Sequence, residues 1–309
     1  MKSRIRHTIR LCLILLAASL WKGSTSAQSL NNVFFPPALI QKEGVKTITV
    51  YETKIDNPSE RAGQGNRIRL ARKIVRQMQF DEKGNHVRTI YYKNEGKAVS
   101  QELLITYDEQ GNRLTETLNT FHTNNADSTR LIQSQVKQFH YEHQYPSAIV
   151  TSLVSTNKRI CIDSTHLDRD AQGRVLTERL YEPHTKPLLL LERKWAYSGR
   201  TAEVQAIVHG NQSNRNVYDL DEQGRKTHEM NLAPSDTVPR LETFYSYDPR
   251  GWLQEERSEV NWNYSAKAET VISRKHKYDD HGKLVETQMD YGDGKRLVEF
   301  FDHTYWVEK

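Results

Sequence analysis

The stretch Tyr107-Asp108-Glu109-Gln110-Gly111-Asn112-Arg113-Leu114-Thr115-Glu116 places a four-residue turn between two strand-like runs. Asp is favoured at the first position of a type I turn because its carboxylate accepts hydrogen bonds from local backbone N–H groups. Gly is favoured at the fourth position, where the backbone adopts a positive φ and re-enters the ladder through a bulge. The stretch therefore predicts a β-hairpin in which the flanking aromatic and apolar residues face each other.

The same Asp-x-x-Gly turn occurs six times along the chain. Its copies are Asp81/Gly84, Asp108/Gly111, Asp170/Gly173, Asp221/Gly224, Asp248/Gly251 and Asp279/Gly282. The intervals between the Asp residues are 27, 62, 51, 27 and 31, so each long interval predicts one hidden, degenerate unit. Tyr141-Glu142 and Tyr197-Ser198-Gly199 stand where these units would fall. A fixed period of this length is typical of repeat architectures.

Complementary turns lie between the Asp turns, for example at Asn94-Glu95-Gly96 and Gly292-Asp293-Gly294. Strands that alternate with turns on both sides describe an antiparallel meander. The run Arg67 to Phe80 fits a helix and a strand, and we assign it as a strand because it leads into a turn as the other strands do. The predicted fold is all-β, an extended antiparallel meander of repeated β-hairpins in which no helix is needed.

The N-terminal residues predict a cleaved secretory signal over 1–27. A basic head precedes an uncharged run of eleven residues, Leu11 to Trp21, and Thr25-Ser26-Ala27 offers the small residues that a signal peptidase recognises. This run is too short for a transmembrane helix, which needs about 20 residues. The predicted organisation is the signal peptide, a leading segment over 28–45 without periodicity, and a hairpin array over 46–309. We expect the protein in the periplasm, at the cell surface or outside the cell.

Removal of the leader changes the charge and the cysteine content. The full sequence has a formal net charge of +5, with 44 basic and 39 acidic residues, and the leader contains five of the bases and no acid. The remaining 39 bases balance the 39 acids, which argues against nucleic-acid binding because its affinity is dominated by positive charge. Cys161 is the one cysteine left, so no intramolecular disulfide is expected. We expect its thiol to be buried in a strand.

No metal or cofactor site is expected from the sequence. The segments Asp168 to Gly173 and Asp219 to Gly224 share a spacing that resembles the start of a calcium loop. A calcium loop of this type needs a Glu at its twelfth position, where these segments have Arg179 and Met230. We therefore predict hairpin turns at both places, with weak cation binding as the alternative.

Four glutamates, Glu116, Glu178, Glu229 and Glu256, each lie five residues after a turn Gly. Two carboxylates about 5–9 Å apart can hydrolyse glycosidic bonds if one of them is desolvated. A repeated phase instead predicts one equivalent surface position in each hairpin, balanced by basic neighbours. No motif of a metalloprotease or of a serine hydrolase is present. We therefore predict no catalytic residue and no enzyme activity.

Two stretches are weak binding candidates. Tyr245, Tyr247, Trp252, Trp262 and Tyr264 form the densest aromatic group in the sequence. Such rings can stack on sugars, although in strands they more often form cross-strand pairs. The apolar run Leu188 to Leu191 is expected to be the best-buried strand of the sheet, with a partner site as the alternative.

Three copies of the turn carry a resemblance to a known family. The segments Tyr107-Asp108-Glu109-Gln110-Gly111-Asn112-Arg113-Leu114, Tyr247-Asp248-Pro249-Arg250-Gly251-Trp252-Leu253 and Tyr278-Asp279-Asp280-His281-Gly282-Lys283-Leu284 resemble the tyrosine–aspartate (YD) repeat of Rhs and teneurin proteins. The resemblance implies hairpins in a spiralling sheet of an exported protein. The array is too short for a large shell, and the resemblance carries over no catalytic residue.

Together these observations predict an exported, non-enzymatic structural or interaction protein of the cell envelope or extracellular space. It would bind protein or glycan through its sheet surface or through exposed edge strands. The alternative is a secreted polysaccharide-acting hydrolase with carboxylates from separate hairpins. A carrier of an apolar ligand would require the sheet to curl around an apolar cavity.

Overall fold

The computed structural model describes residues 34–55, 72–93, 96–123, 129–155, 158–183, 186–261, 270–292 and 295–306. These residues form one short helix, α1 (Pro37–Lys42), and 18 strands. The strands are β1 (Val45–Ile55), β2 (Lys73–Phe80), β3 (His86–Lys93), β4 (Ala98–Tyr107), β5 (Arg113–Thr123), β6 (Thr129–Glu142), β7 (Tyr145–Ser155), β8 (Lys158–Arg169), β9 (Val175–Glu182), β10 (Leu188–Ser198), β11 (Thr201–Val208), β12 (Asn211–Leu220), β13 (Lys226–Leu232), β14 (Leu241–Tyr247), β15 (Leu253–Val260), β16 (Thr270–Tyr278), β17 (Leu284–Asp290) and β18 (Arg296–Tyr305).

The strands form a single antiparallel sheet in which each strand pairs with its neighbours in sequence. The sheet closes on itself because β1 pairs with both β2 and β18: Val50 lies opposite Arg76 on one side and Phe301 on the other. The all-β antiparallel meander predicted from the sequence is confirmed, whereas its closure was not predicted. The expectation of exposed edge strands is wrong, since every described strand is paired on both sides.

The Asp turns have the geometry expected of them. In the second copy, the Gly111 N–H donates to the Asp108 carbonyl (3.1 Å) and the Asn112 N–H donates to Asp108 Oδ1 (2.7 Å). The register then shifts between Thr106 and Tyr107, as a bulge requires. All six turn glycines have φ between 75° and 88°, which explains why Gly stands at this position.

A row of tyrosines links successive hairpins. The Tyr107 hydroxyl donates to the carbonyl of His86, two residues after the preceding turn Gly. Four further tyrosines make the same bond at the same spacing, with O···O distances of 2.8–3.0 Å: Tyr141 to Arg113, Tyr197 to Val175, Tyr247 to Lys226 and Tyr278 to Leu253. In these five hairpins, the tyrosine that precedes the turn therefore connects its hairpin to the one before it.

The two degenerate units occupy the predicted places. The β6–β7 connection is a two-residue turn in which His143 has a φ of 59°, and the β10–β11 connection has Gly199 at 57°. Neither turn has the Asp, yet Tyr141 and Tyr197 keep the inter-hairpin hydrogen bond. The tyrosine therefore persists where the rest of the motif is lost.

The buried side chains are concentrated on one face of the sheet. A single closed sheet has no outer layer, so this buried face is the inner one. The largest apolar cluster lies where the sheet closes and consists of Phe35, Ile40, Val45, Ile48, Val50, Met78, Phe80, Leu284 and Phe301. Ile40 of α1 belongs to this cluster, so the helix shares one core with the strands at the closure, β1, β2, β17 and β18.

Helix α1 is a correction to the expectation that no helix is needed. Pro37 occupies its first turn, where a missing N–H costs nothing, and Ile40 is buried in the core cluster. A six-residue helix is not stable alone, so its packing against the sheet stabilises it. Its carbonyl at Pro37 lies so close to Gly84 that only a residue without Cβ fits there.

Two expectations about burial are also wrong. Cys161 is exposed, because it belongs to the first four residues of β8, which are all exposed. Leu188 and Leu189 are 47% and 36% exposed, since they lie at the start of β10, beyond the buried part of the sheet.

Candidate functional site

A cavity of about 330 Å³ opens at the end of the sheet that carries the Asp turns, which we call the turn rim. It lies between the segment that contains α1 and the hairpins β2–β3, β4–β5 and β6–β7. Its lining residues are Phe35, Pro37, Met78, Phe80, Gly84, Asn85, His86, Tyr107, Gly111, Asn112, Arg113, Tyr141, Gln144 and Pro146. The cavity thus combines aromatic rings with amide side chains and one guanidinium group.

The turns fix the amide side chains of the cavity. Asn112 Nδ2 donates to Asp108 Oδ2 (2.9 Å), and Asn85 Nδ2 donates to Asp81 Oδ2 (3.0 Å). These bonds use the amide nitrogens and leave the amide oxygens as acceptors. The Asn112 side chain in turn lowers the pKa of the Asp108 carboxyl, together with backbone N–H groups of the turn.

His86 is held neutral in the cavity wall. Burial lowers its pKa to about 4, and the cations Arg113 and Arg76 act in the same direction. Nε2 lies 3.0 Å from the carbonyl of Arg88, which can only accept, so this contact assigns the ring proton to Nε2. Nδ1 is then an acceptor, and the imidazole adds no positive charge at neutral pH.

The repeated glutamates face the inner side of the sheet, which corrects their expected surface position. Glu178 and Glu229 are 6% and 5% exposed. Each repeated glutamate contacts a basic side chain: Glu116 with Arg113, Glu178 with Arg193 (2.7 Å), Glu229 with Lys226 (3.1 Å), and Glu256 with His276 (3.1 Å) and Arg274 (3.4 Å). The register after the turn bulge places the fifth residue after Gly on the inner face, where a charge needs a partner.

These carboxylates do not form an acid–base pair in a cavity. None of the four lines the cavity at the turn rim. Glu229 and Glu256 lie on neighbouring hairpins, and Glu229 accepts a hydrogen bond from Tyr245 (3.0 Å). Burial opposes ionisation of Glu256, but hydrogen bonds from His276 and Arg274 outweigh it and lower its pKa. A glycosidase acid needs the opposite shift.

The aromatic binding candidates do not form one exposed surface among the described residues. The Tyr245 and Tyr247 hydroxyls donate to Glu229 and to the Lys226 carbonyl on the inner face. Trp252 packs at the turn rim, with its ring 5.3 Å from that of Tyr278. Trp262 and Tyr264 lie outside the described residues.

The two segments that resemble a calcium loop serve as hairpin turns. Asp170 and Asp221 each accept hydrogen bonds from turn N–H groups and from the side chain of Arg174 or Arg225. Over the part of the chain that the structure describes, no group of three metal-ligating side chains occurs.

One difference between the copies of the turn coincides with the cavity. Asn follows the turn Gly only in the first two copies, at Asn85 and Asn112, whereas Arg, Trp or Lys follows it elsewhere. These two asparagines belong to the two Asp turns that line the cavity. The difference between copies, and not the motif that they share, marks the site.

Comparisons with known proteins do not assign the chain to a family. No family model matches it, and no curated protein matches it. Similar solved structures include TcdB2-TccC3 (14% identity, 73% of this chain and 13% of that chain, TM-score 0.32). A porin-like protein from Bacteroides uniformis ATCC 8492 is 10% identical over 84% of this chain and 98% of that chain, with a TM-score of 0.28.

A DUF3836 family protein from Bacteroides vulgatus ATCC 8482 is 5% identical over 30% of this chain and 87% of that chain, with a TM-score of 0.23. At these identities and TM-scores the likenesses support no conclusion about function. Among the described residues, no helix is long and apolar enough to cross a membrane.

Proposed function

We propose that this protein is an exported, non-enzymatic binding protein of the cell envelope or extracellular space. Its ligand is a glycan or a protein segment, and the cavity at the turn rim is the binding site. The proposal combines the predicted secretory signal with the chemistry of the cavity.

The composition of the cavity wall is the observation that carries the proposal. Ring faces such as those of Tyr107 and Tyr141, which are only partly buried, can stack on the apolar face of a sugar or on a side chain. The amide oxygens of Asn85 and Asn112 can accept hydrogen bonds from hydroxyl or N–H groups of a ligand. Because both asparagines are held by their turns, little conformational entropy is lost when a ligand binds.

A hydrolase remains the alternative because Glu229 and Glu256 both influence the same side chain, Tyr245, whose pKa is raised mainly by burial and then by Glu229. These two carboxylates are the pair to test, by replacing each with Gln and measuring release of reducing ends from polysaccharides. The basic partners of Glu256 argue against this alternative, since His276 and Arg274 lower the pKa of this carboxyl and favour its charged form.

The sheet does curl, as a carrier of an apolar ligand would require. Its inner face, however, carries ion pairs such as Glu178 with Arg193 and Glu256 with Arg274. An apolar ligand would displace water from these charged groups without replacing its hydrogen bonds, so this third hypothesis gains little support.

A variant that fills the cavity tests the proposal. Gln144 lies in the β6–β7 turn and lines the cavity, so Gln144→Trp should block it without removing a hydrogen bond of the repeat. Arg200→Trp, at the corresponding place in the β10–β11 turn, is the matched control. Wild type and both variants are screened on a glycan array and in pull-downs from envelope extracts.

We expect Gln144→Trp to lose at least about tenfold in affinity for the ligand found, while Arg200→Trp binds like the wild type. Equal loss in both variants, or equal binding in both, would place the ligand elsewhere and contradict the cavity as the site. Absence of any ligand in both screens would count against a binding function.

A further inference from the structure

Large apolar side chains are exposed at the end of the sheet opposite the turn rim. They are Leu131, Ile132, Ile160, Leu188, Leu189 and Val208, between 36% and 56% exposed, and we call this set the apolar rim. All six lie near the ends of β6, β8, β10 and β11 that are farthest from the turn rim. Contiguous exposed apolar groups mark interaction or membrane surfaces more often than isolated ones do.

The apolar rim is wide and two-sided. From β6 to β11 there are five inter-strand spacings of about 4.8 Å, so the rim extends over about 24 Å. Leu188 and Leu189 are consecutive and pair in regular register with Glu182 and Tyr181, so the alternation of a strand places these two exposed side chains on opposite faces of the sheet. Apolar side chains therefore project from both faces at β10, and a fluid phase can surround such an edge more completely than a rigid surface can.

Basic side chains accompany the apolar rim. Arg130, Lys158 and Lys186 are exposed, and within the described residues none of them pairs with a carboxylate. Arg159 donates to the neutral amide of Gln138 (2.7 Å). At the turn rim, by contrast, basic residues such as Arg174 pair with the turn carboxylates. Within the described part of the chain, the apolar rim thus combines exposed apolar groups with three cations that pair with no carboxylate.

We propose that the apolar rim docks onto an anionic lipid surface. Leu131, Ile132 and Leu188 would enter the boundary between headgroups and acyl chains, and the three unpaired cations would contact lipid phosphates. A second copy of the chain fits less well, because a symmetric contact between two such rims would bring like charges together. Docking at this end leaves the cavity at the turn rim facing away from the membrane.

The experiment measures partition of the full chain onto vesicles by flotation. The two vesicle compositions are phosphatidylcholine alone and phosphatidylcholine with phosphatidylglycerol. We expect binding to the anionic vesicles, weaker binding at high salt, and little binding to the neutral ones. The variant Leu131→Ser/Ile132→Ser/Leu188→Ser should lower the partition coefficient at least about tenfold, since each side chain loses apolar burial.

The matched control replaces two exposed leucines at the turn rim, the other end of the sheet. Leu114 and Leu176 are 42% and 40% exposed near the turn rim, so Leu114→Ser/Leu176→Ser should bind vesicles like the wild type. A charge variant, Arg130→Gln/Lys158→Gln/Lys186→Gln, should lose the preference for anionic vesicles. Since all substituted side chains are exposed, unchanged thermal unfolding verifies that each variant is folded.

Three results would overturn the proposal. The first is absence of wild-type binding to anionic vesicles. The second is equal loss of binding in the apolar-rim variant and in its control. The third is concentration-dependent self-association in sedimentation equilibrium that the apolar-rim substitutions abolish, which would make a second copy the occupant of this surface.

Discussion

The two ends of the closed sheet are built differently. At the turn rim the same turn recurs six times, and each turn carboxylate accepts backbone N–H groups of its own hairpin. At the opposite end no motif repeats, apolar side chains are exposed, and Arg130, Lys158 and Lys186 have no carboxylate partner among the described residues. The repeated turn therefore stabilises the architecture, and ligands are expected where the chain departs from the repeat.

The largest effect is expected where a turn glycine contacts α1. A Cβ at Gly84 would meet the carbonyl oxygen of Pro37 and lie 2.9 Å from the Gln41 nitrogen, whereas a Cβ at Gly224 has open space around it. Both glycines have positive φ, so Gly224→Ala should cost only the left-handed strain of about 1–2 kcal/mol. We expect Gly84→Ala to cost about 2–4 kcal/mol more in urea unfolding, because the helix must move. Equal costs would show that α1 does not pack on this turn.

A medium effect is expected from the tyrosine row. Tyr107→Phe leaves the His86 carbonyl without its donor and should lower the free energy of unfolding by about 1 kcal/mol. Tyr291→Phe is the control, since Tyr291 is exposed and makes no such inter-hairpin bond. If Tyr291→Phe lowers the free energy of unfolding as much as Tyr107→Phe does, the inter-hairpin hydrogen bonds of the tyrosines do not stabilise the fold.

A smaller effect, summed over several turns, is expected on acidification. Asp108, Asp170, Asp221, Asp248 and Asp279 all have a pKa below the ordinary value of 3.8, because hydrogen bonds within the turns outweigh any burial. A lowered folded-state pKa gives stability that is present above pH 4 and is lost as pH falls through the folded value. Tm measured from pH 7 to pH 2.5 should fall mainly below pH 4, and less steeply in Asp108→Asn.

His86 contributes over a different pH range. Its folded-state pKa of about 4 lies below the ordinary value of 6.5, so protonation favours the unfolded chain. The contribution of the buried, neutral imidazole to the free energy of unfolding is therefore complete above pH 6.5 and declines as pH falls toward 4. His86→Gln should reduce the change in Tm between pH 6.5 and 4. The fall in Tm below pH 4, which the turn aspartates cause, should be unchanged. An unchanged profile would mean that the imidazole is not buried.

The local part of the fold could be predicted from the sequence because its causes are local. Asp108 and Gly111 dictate a turn through their own backbone preferences, and Tyr141 identified a degenerate unit by its spacing. Closure could not be predicted, since β1 and β18 pair across more than 240 residues and no local signal links Val50 with Phe301.

The inner and outer faces were harder to predict than the turns. Glu178 and Glu229 follow the turn at a phase that looks exposed in the sequence, but the bulge turns them inward to basic partners. Leu188 and Leu189 look like a core strand, yet their place at the end of β10 exposes them. The cavity depends on three hairpins and α1 together, so no single stretch of sequence contains it.

Cross-linking of β1 to β18 tests the closed sheet most directly. Thr49 and Asp302 are register partners in this pair, and directly paired strand residues have Cα atoms about 4.5–5.5 Å apart, within the range of a disulfide. In a Cys161→Ser background, Thr49→Cys/Asp302→Cys should form an intramolecular disulfide on mild oxidation and raise Tm. Thr49→Cys/Leu176→Cys, which joins β1 to the distant β9, should remain reduced. Absence of a disulfide in the first pair, or equal cross-linking in both, would contradict closure.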